Sequence, residues 1–356
     1  MPGALNYAEF AGVGPGEQVL LAASTEADPL VVQAILAAVA AKGASPTVCY
    51  VPPTKGYFSE PPPPLAEAMA AADTILDVGA FVVGHTEACL RALFEYASKG
   101  IILCPPPTPA VLKSKGARFP AEVHHVISKL VFAQCQKPDG SLIHVTSAAG
   151  TDITAEVWRS KCGHGAAEMG VAAPGDFWVF PGGCFGFLPP RNVNGTAVFE
   201  AFTGYGRTSE PTVFTIRDSL IVDIQGGWEV AAIHQRIDGV KNGNWICEIM
   251  FGLNPANDVD MSVTPLSLQA ERSPQTLHIG LGDGTLNVGP RRAQGHTRQW
   301  KVLHQDGFML YPTLTVGGES VIERGRLAAI ETEEVHRVAA KYGDPAEVLS
   351  YTPVRM

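Results

Sequence analysis

His304 and Asp306 are separated by one residue, between the apolar runs Trp300-Leu303 and Phe308-Tyr311. That pattern reads as a strand, and a strand alternates faces, so residues i and i+2 project together. An imidazole and a carboxylate side by side on a rigid strand form half of a metal site. A surface strand with two ordinary polar residues would read the same way, so the weight of the pair depends on partners elsewhere in the chain.

Four stretches supply candidates. Glu248 lies in the apolar run Ile246-Cys247-Glu248-Ile249-Met250-Phe251-Gly252. A carboxylate there is costly unless it is paired or binds a metal, or unless an edge strand turns it to water. His278 lies in Leu277-His278-Ile279-Gly280-Leu281-Gly282; neutral imidazole is the commonest metal ligand but also packs well in a hydrogen-bonded core. His85 follows Phe81-Val82-Val83-Gly84 at a strand end. Ligands bind at strand C-termini in open α/β sheets, so His85 suits proton transfer, with helix capping as the plainer role. Cys184 follows Phe180-Pro181-Gly182-Gly183. No Cys/His/Asn signature surrounds it, so a packed thiol is expected.

The elements that position these residues fall into two kinds. Gln18-Ala23, Thr47-Val51, Thr74-Val78 and Ile101-Cys104 read as strands, alternating with helical stretches at Asp28-Ala41, Leu65-Ala72, Cys89-Ala97 and Ala121-Gln136. Alternation of this kind predicts a doubly wound, Rossmann-like α/β domain over residues 1–140. The first turn lacks Gly-x-Gly-x-x-Gly, which disfavours a dinucleotide. After Lys137-Pro138-Asp139-Gly140 glycine is dense and helix signals are few. Strands are predicted at Ser141-Thr146, Trp178-Phe180, Gly195-Ala201, Thr212-Ile216, Leu220-Gln225 and Trp245-Met250, with a late helix at Ile330-Tyr342. The second unit, 141–356, is therefore expected to be a mostly antiparallel, β-rich, metal-binding domain.

Composition excludes several function classes. The 356 residues are 46% hydrophobic and 17% charged, which is a packed chain and not a disordered one. The net charge of −9 argues against nucleic acid and anionic membranes as partners. No apolar run reaches a membrane span and no signal peptide is legible, so a cytosolic homo-oligomer acting on a small molecule is expected. The seven cysteines include no C-x-x-C pair, which disfavours a disulfide framework or zinc ribbon.

Taken together, Pro181-Gly182-Gly183, Glu248 with Phe251-Gly252-Leu253-Asn254-Pro255, His278-Ile279-Gly280-Leu281-Gly282 and His304-x-Asp306 give the chain a resemblance to the aminopeptidase T family. Its relatives include 2,5-dihydroxypyridine 5,6-dioxygenase and, more distantly, 5-nitroanthranilate aminohydrolase. The resemblance spans most of the chain and implies that Glu248, His278, His304 and Asp306 are metal ligands. A further family glutamate falls at Cys184, which implies one divalent ion (Mn, Fe or Zn) instead of two. The dioxygenases have a histidine in their counterpart of Phe81-His85, which implies that His85 serves the substrate; they also have histidine where this chain has Glu248. The first expectation is therefore a hydrolase using metal-activated water on a small amide, amine or heterocycle. The alternatives are an Fe(II)-dependent ring-cleaving dioxygenase and a non-catalytic binding protein.

Overall fold

The computed structural model describes residues 2–52, 60–84, 86–104, 106–158, 171–187, 190–203, 205–240, 242–262, 268–282 and 304–356. Helix α1 (Pro2–Phe10) leads into β1 (Gln18–Ser24), α2 (Pro29–Ala41), β2 (Ser45–Val51), α3 (Pro63–Ala71), β3 (Thr74–Val78), α4 (Glu87–Glu95) and β4 (Lys99–Leu103). Short helices α5 (Pro109–Lys113) and α6 (Lys115–Arg118) and the longer α7 (Ala121–Cys135) follow. The parallel sheet is buried between helices, and β3 and β4 are buried at every residue, as strands covered on both faces must be. Asp28 caps α2 by accepting the Leu30 N–H, and Thr86 caps α4 by accepting the Cys89 N–H. α1 carried no clear sequence signal; its Tyr7 is fully buried, and the hydroxyl donates to the carbonyl of Ile101.

Among the described residues the second sheet has twelve strands. Along its main path β17 (Arg326–Leu327), β16 (Glu319–Glu323), β15 (Thr313–Val316), β5 (Leu142–Thr146), β6 (Asp152–Glu156), β9 (Arg191–Phe202), β14 (His304–Leu310), β13 (Thr276–Gly282), β12 (Ile246–Gly252) and β8 (Cys184–Phe187) lie in that order. The hairpin of β10 (Gly206–Arg217) and β11 (Leu220–Gln225) branches from β9. The fold class is the expected one, a parallel α/β sheet followed by a large antiparallel one.

The chain crosses the expected boundary at residue 140 in both directions. β7 (Phe177–Phe180) pairs in parallel with β4 and forms the edge of the first sheet, in the order β2-β1-β3-β4-β7. Trp178, Val179 and Phe180 are all buried there, and an apolar tetrapeptide suits a strand covered on both faces. Conversely, Val123, Ile127, Val131 and Cys135 of α7 belong to the core of the antiparallel sheet. The late helix is also shorter than expected. It runs Glu333–Ala339 after a 3-10 turn, because the Thr332 hydroxyl accepts the Val335 N–H and donates to the Ala329 carbonyl, starting a new helix.

His124 of α7 braces the junction between the two sheets. It is fully buried; its Nε2 accepts the Gly183 N–H at 3.1 Å, and its Nδ1 lies 3.3 Å from the Ser128 hydroxyl. Burial pushes its pKa down to about 3. The unfolded chain takes up this proton below about 6.5 while the folded chain resists it, so the stability due to the neutral ring is complete above 6.5 and drains away as pH falls toward 3. Between pH 7 and about pH 5 the loss amounts to roughly 2 kcal/mol. Urea unfolding at both pH values should show His124→Phe less stable than the parent throughout, because the Gly183 amide is orphaned. The variant should also lack this part of the acid dependence; parallel pH slopes would refute the assignment.

Candidate metal centre

β12, β13 and β14 are adjacent, and their register brings the candidates onto one face. Glu248 pairs with Gly280, Gly280 with Asp306, and Gly282 with His304. His278 lies two residues from Gly280 and so shares its face. The opposite face carries Ile249, Phe251, Leu277, Ile279 and Leu281, all in the core of the antiparallel sheet. This explains why apolar runs contain the site: in β12 from Glu248 onward, and along β13, odd-numbered residues fill the core while Glu248 and His278 face the centre. Glu248 is 1% exposed, so it is not an edge-strand carboxylate facing water.

Gly280 opens the trough in which the side chains meet. A Cβ at Gly280 would sit 2.4 Å from Cγ of Glu248, so the Glu248 side chain lies directly over β13. Its Oε1 is 3.4 Å from His278 Nε2 and 3.3 Å from His304 Nε2. His304 Nε2 is also 3.2 Å from Asp306 Oδ1. Thr203 donates its hydroxyl to Asp306 Oδ2 at 3.2 Å. The ligand atoms of Glu248, His278 and Asp306 lie within 4.8 Å of one another, as do those of Cys247, Glu248 and His304. His278 packs on Phe308 with ring centroids 5.5 Å apart.

The electrostatics are those of a compact charge cluster. Burial alone opposes charge on every member. For Glu248 the neighbouring His304 and His278 overcome it and hold the carboxyl well below its usual range. Asp306 is likewise lowered, by His304 above all. His304 is raised well above the ordinary imidazole value by Asp306 and Glu248, and His278 is raised by its hydrogen bond to Glu248 and by Asp306. Protons on the imidazoles thus supply the positive charge that two buried carboxylates require. A divalent cation can take their place, releasing protons as it binds. Among the described residues His278 Nδ1 is buried without a hydrogen-bond partner, a costly state that coordination or a bound molecule would relieve. Imidazole nitrogen with carboxylate oxygen suits Mn²⁺, Fe²⁺ or Zn²⁺.

Some contributors escaped the sequence reading. Cys247 lies beside His304, its Sγ 3.9 Å from Nδ1, and burial pushes its thiol up to about 12. Glu271 and Arg272 form a buried ion pair at 3.2 Å just before β13. Burial pushes Glu271 up to about 7, Arg272 pulling it down and Asp306 pushing it up. No spacing rule picks out either feature.

His85 lies outside the described residues, and so does the side chain of Cys184. The turn before residue 85 is described. Asp77, fully buried at the end of β3, accepts the N–H groups of Ala80, Phe81, Val82 and Val83 at 2.7–3.0 Å. Burial raises it to about 6 against the pull of those four amides. The two family-like loops brace each other: Asn257 donates to the Pro181 carbonyl, Asn254 donates to the Gly116 carbonyl, and Gly182 leaves no room for a Cβ beside Asn254. They thereby fix β12 to the end of the parallel sheet.

Comparison with known proteins agrees with this architecture. A family model described as 2,5-dihydroxypyridine 5,6-dioxygenase (NicX) matches residues 6–329. The solved structure of 2,5-dihydroxypyridine dioxygenase from Pseudomonas putida KT2440 superposes with a TM-score of 0.68 at 17% identity, covering 94% of this chain and 98% of that one. Wild-type AmpT from Thermus thermophilus superposes with a TM-score of 0.59 at 14% identity, covering 92% and 98%. At these identities the two structures share the fold with this chain. No curated protein matches in sequence. Among the described residues no helix is long and apolar enough to cross a membrane.

Proposed function

The chain belongs to the 2,5-dihydroxypyridine 5,6-dioxygenase family, and from that premise we propose that it is a mononuclear Fe(II)-dependent enzyme that opens a hydroxylated, nitrogen-bearing aromatic ring with dioxygen. The observation that carries this reading is the convergence of both imidazoles on one carboxylate oxygen, Glu248 Oε1, with Asp306 beside them. Such a set suits one ion.

Glu248, His278, His304 and Asp306 would hold it, and when bound it would supply Lewis acidity and redox chemistry toward dioxygen. The protein's own part is to bind, neutralise and shield. Glu248 and Asp306 bring two negative charges against the dication. Thr203 fixes the second oxygen of Asp306. The apolar face formed by Ile249, Phe251 and Ile279 keeps water from beneath the site. His85 is assigned to proton transfer at the substrate, since an imidazole titrates near neutrality and works in either direction.

The hydrolytic reading, placed first on sequence, becomes the second. Glu248 favours it, because the resemblance puts histidine at this position in the dioxygenases. The test is anaerobic loading with Fe²⁺, followed by 2,5-dihydroxypyridine and oxygenated buffer. Equimolar loss of substrate and O₂ is the expected result. Oxygen-independent cleavage of a small amide with Zn²⁺ or Mn²⁺ would establish hydrolysis instead. Tight metal binding with neither activity would point to a binding protein.

A further inference from the structure

β12 is not regular. Ile246 pairs with Leu281 and Glu248 with Gly280, so the register shifts at Cys247, which has no partner of its own on β13. A bulge of this kind re-aims a side chain and is common beside active sites. Strict alternation would send Cys247 to the core face, away from Glu248. Instead its sulfur reaches Nδ1 of His304, two strands away, across the side-chain-free Gly282. The same imidazole presents Nε2 to Glu248 and Asp306. One ring is thus gripped at both nitrogens, with the sulfur at Nδ1 and the carboxylates at Nε2.

We propose that Cys247 is a positioning residue, whose sulfur holds the Nδ1 edge of His304 so that Nε2 is aimed into the metal centre. The inference rests on the metal reading above. A metal-ligating histidine ordinarily donates its second N–H to a carboxylate, carbonyl or water, and that partner fixes both tautomer and ring angle. Here the acceptor is a thiol sulfur, which is weak and neutral. It therefore fixes the ring without adding negative charge to a cluster that already contains Glu248 and Asp306. The bulge is the structural device that delivers it.

The test uses Co²⁺ as the probe, with affinity measured by chelator competition on the full-length chain and the visible spectrum as a second readout. Cys247→Ala is expected to weaken Co²⁺ binding by about 10–100-fold, the usual loss for a partner of a ligating histidine. Its visible bands should shift as the ring loosens. Cys247→Ser returns a polar atom to Nδ1 at similar volume; it should recover part of the loss and stands in if the alanine variant does not fold. Affinity within about twofold of the parent together with an unchanged spectrum in Cys247→Ala overturns the proposal, while parental Co²⁺ binding leaves the metal reading intact. A sulfur-to-cobalt charge-transfer band in the parent also overturns it, because Cys247 would then be a ligand. A parent chain that binds no Co²⁺ takes down both readings.

Discussion

Replacing His304 by alanine is expected to strip the centre of its metal and weaken the antiparallel sheet, with the parallel sheet left in place. His304 Nε2 faces both carboxylates, at 3.3 Å from Glu248 and 3.2 Å from Asp306, and all three groups are largely buried. Without the ring, Glu248 loses one of its two described imidazole partners, and Asp306 loses the imidazole 3.2 Å away. Removing one partner of a buried ion pair costs about 3–5 kcal/mol, because the survivor stays buried and uncompensated. Both carboxyls should respond by rising toward protonation, which disfavours a cation further. In the parent chain the same protons compete with the metal. Affinity should therefore fall as pH is lowered, since each ion must displace protons that the cluster holds on His304 and His278. Metal content after gel filtration and urea unfolding of the metal-free chains check both parts. One metal per chain retained in the alanine variant would remove His304 from the ligand set.

Much of the centre was legible because strand periodicity constrains it. Ile249 and Phe251 are apolar and Glu248, directly before Ile249, is out of phase with them, so core on one face implied chemistry on the other. His304 and Asp306 follow the same rule two strands away. What periodicity cannot reveal is where it breaks. The bulge at Cys247 leaves no mark on residue type, so the thiol looked like core. Partner choice between sheets is equally hidden. Phe177–Phe180 reads as a strand in either sheet, and only its pairing with Gly100–Leu103 puts it in the first. The helix Glu229–Ile237 was missed because it follows Gly226-Gly227 in a glycine-dense region, where short helices look like loops. β6, Asp152–Glu156, was also missed, because it begins directly after the positive-φ turn at Gly150, where a glycine-marked loop hides the short strand.

Gly280→Ala should damage the centre more selectively than any other single methyl group added to this sheet. The backbone of Gly280 lies within a regular strand, so alanine is tolerated conformationally; the obstacle is Glu248. The new Cβ would lie 2.4 Å from Cγ and 2.8 Å from Oε1 of the carboxylate on which both imidazoles converge. Glu248 must then leave the trough or β12 must shift, and overpacking of this kind costs roughly 1–3 kcal/mol. Metal affinity should fall by on the order of 100-fold, in line with displacement of groups that orient a metal site. Gly307→Ala is the matched control. Gly307 pairs with Ile279 on the opposite face, where a Cβ would meet Phe199 and Phe202 at 2.8 Å. It should lose similar stability yet keep its metal, because the strain falls in the core and not under Glu248. Calorimetric unfolding and Co²⁺ competition on the pair separate the two effects. Equal metal loss in both variants would mean that the sheet transmits strain from either face, and that Glu248 is not singled out by its contact with Gly280.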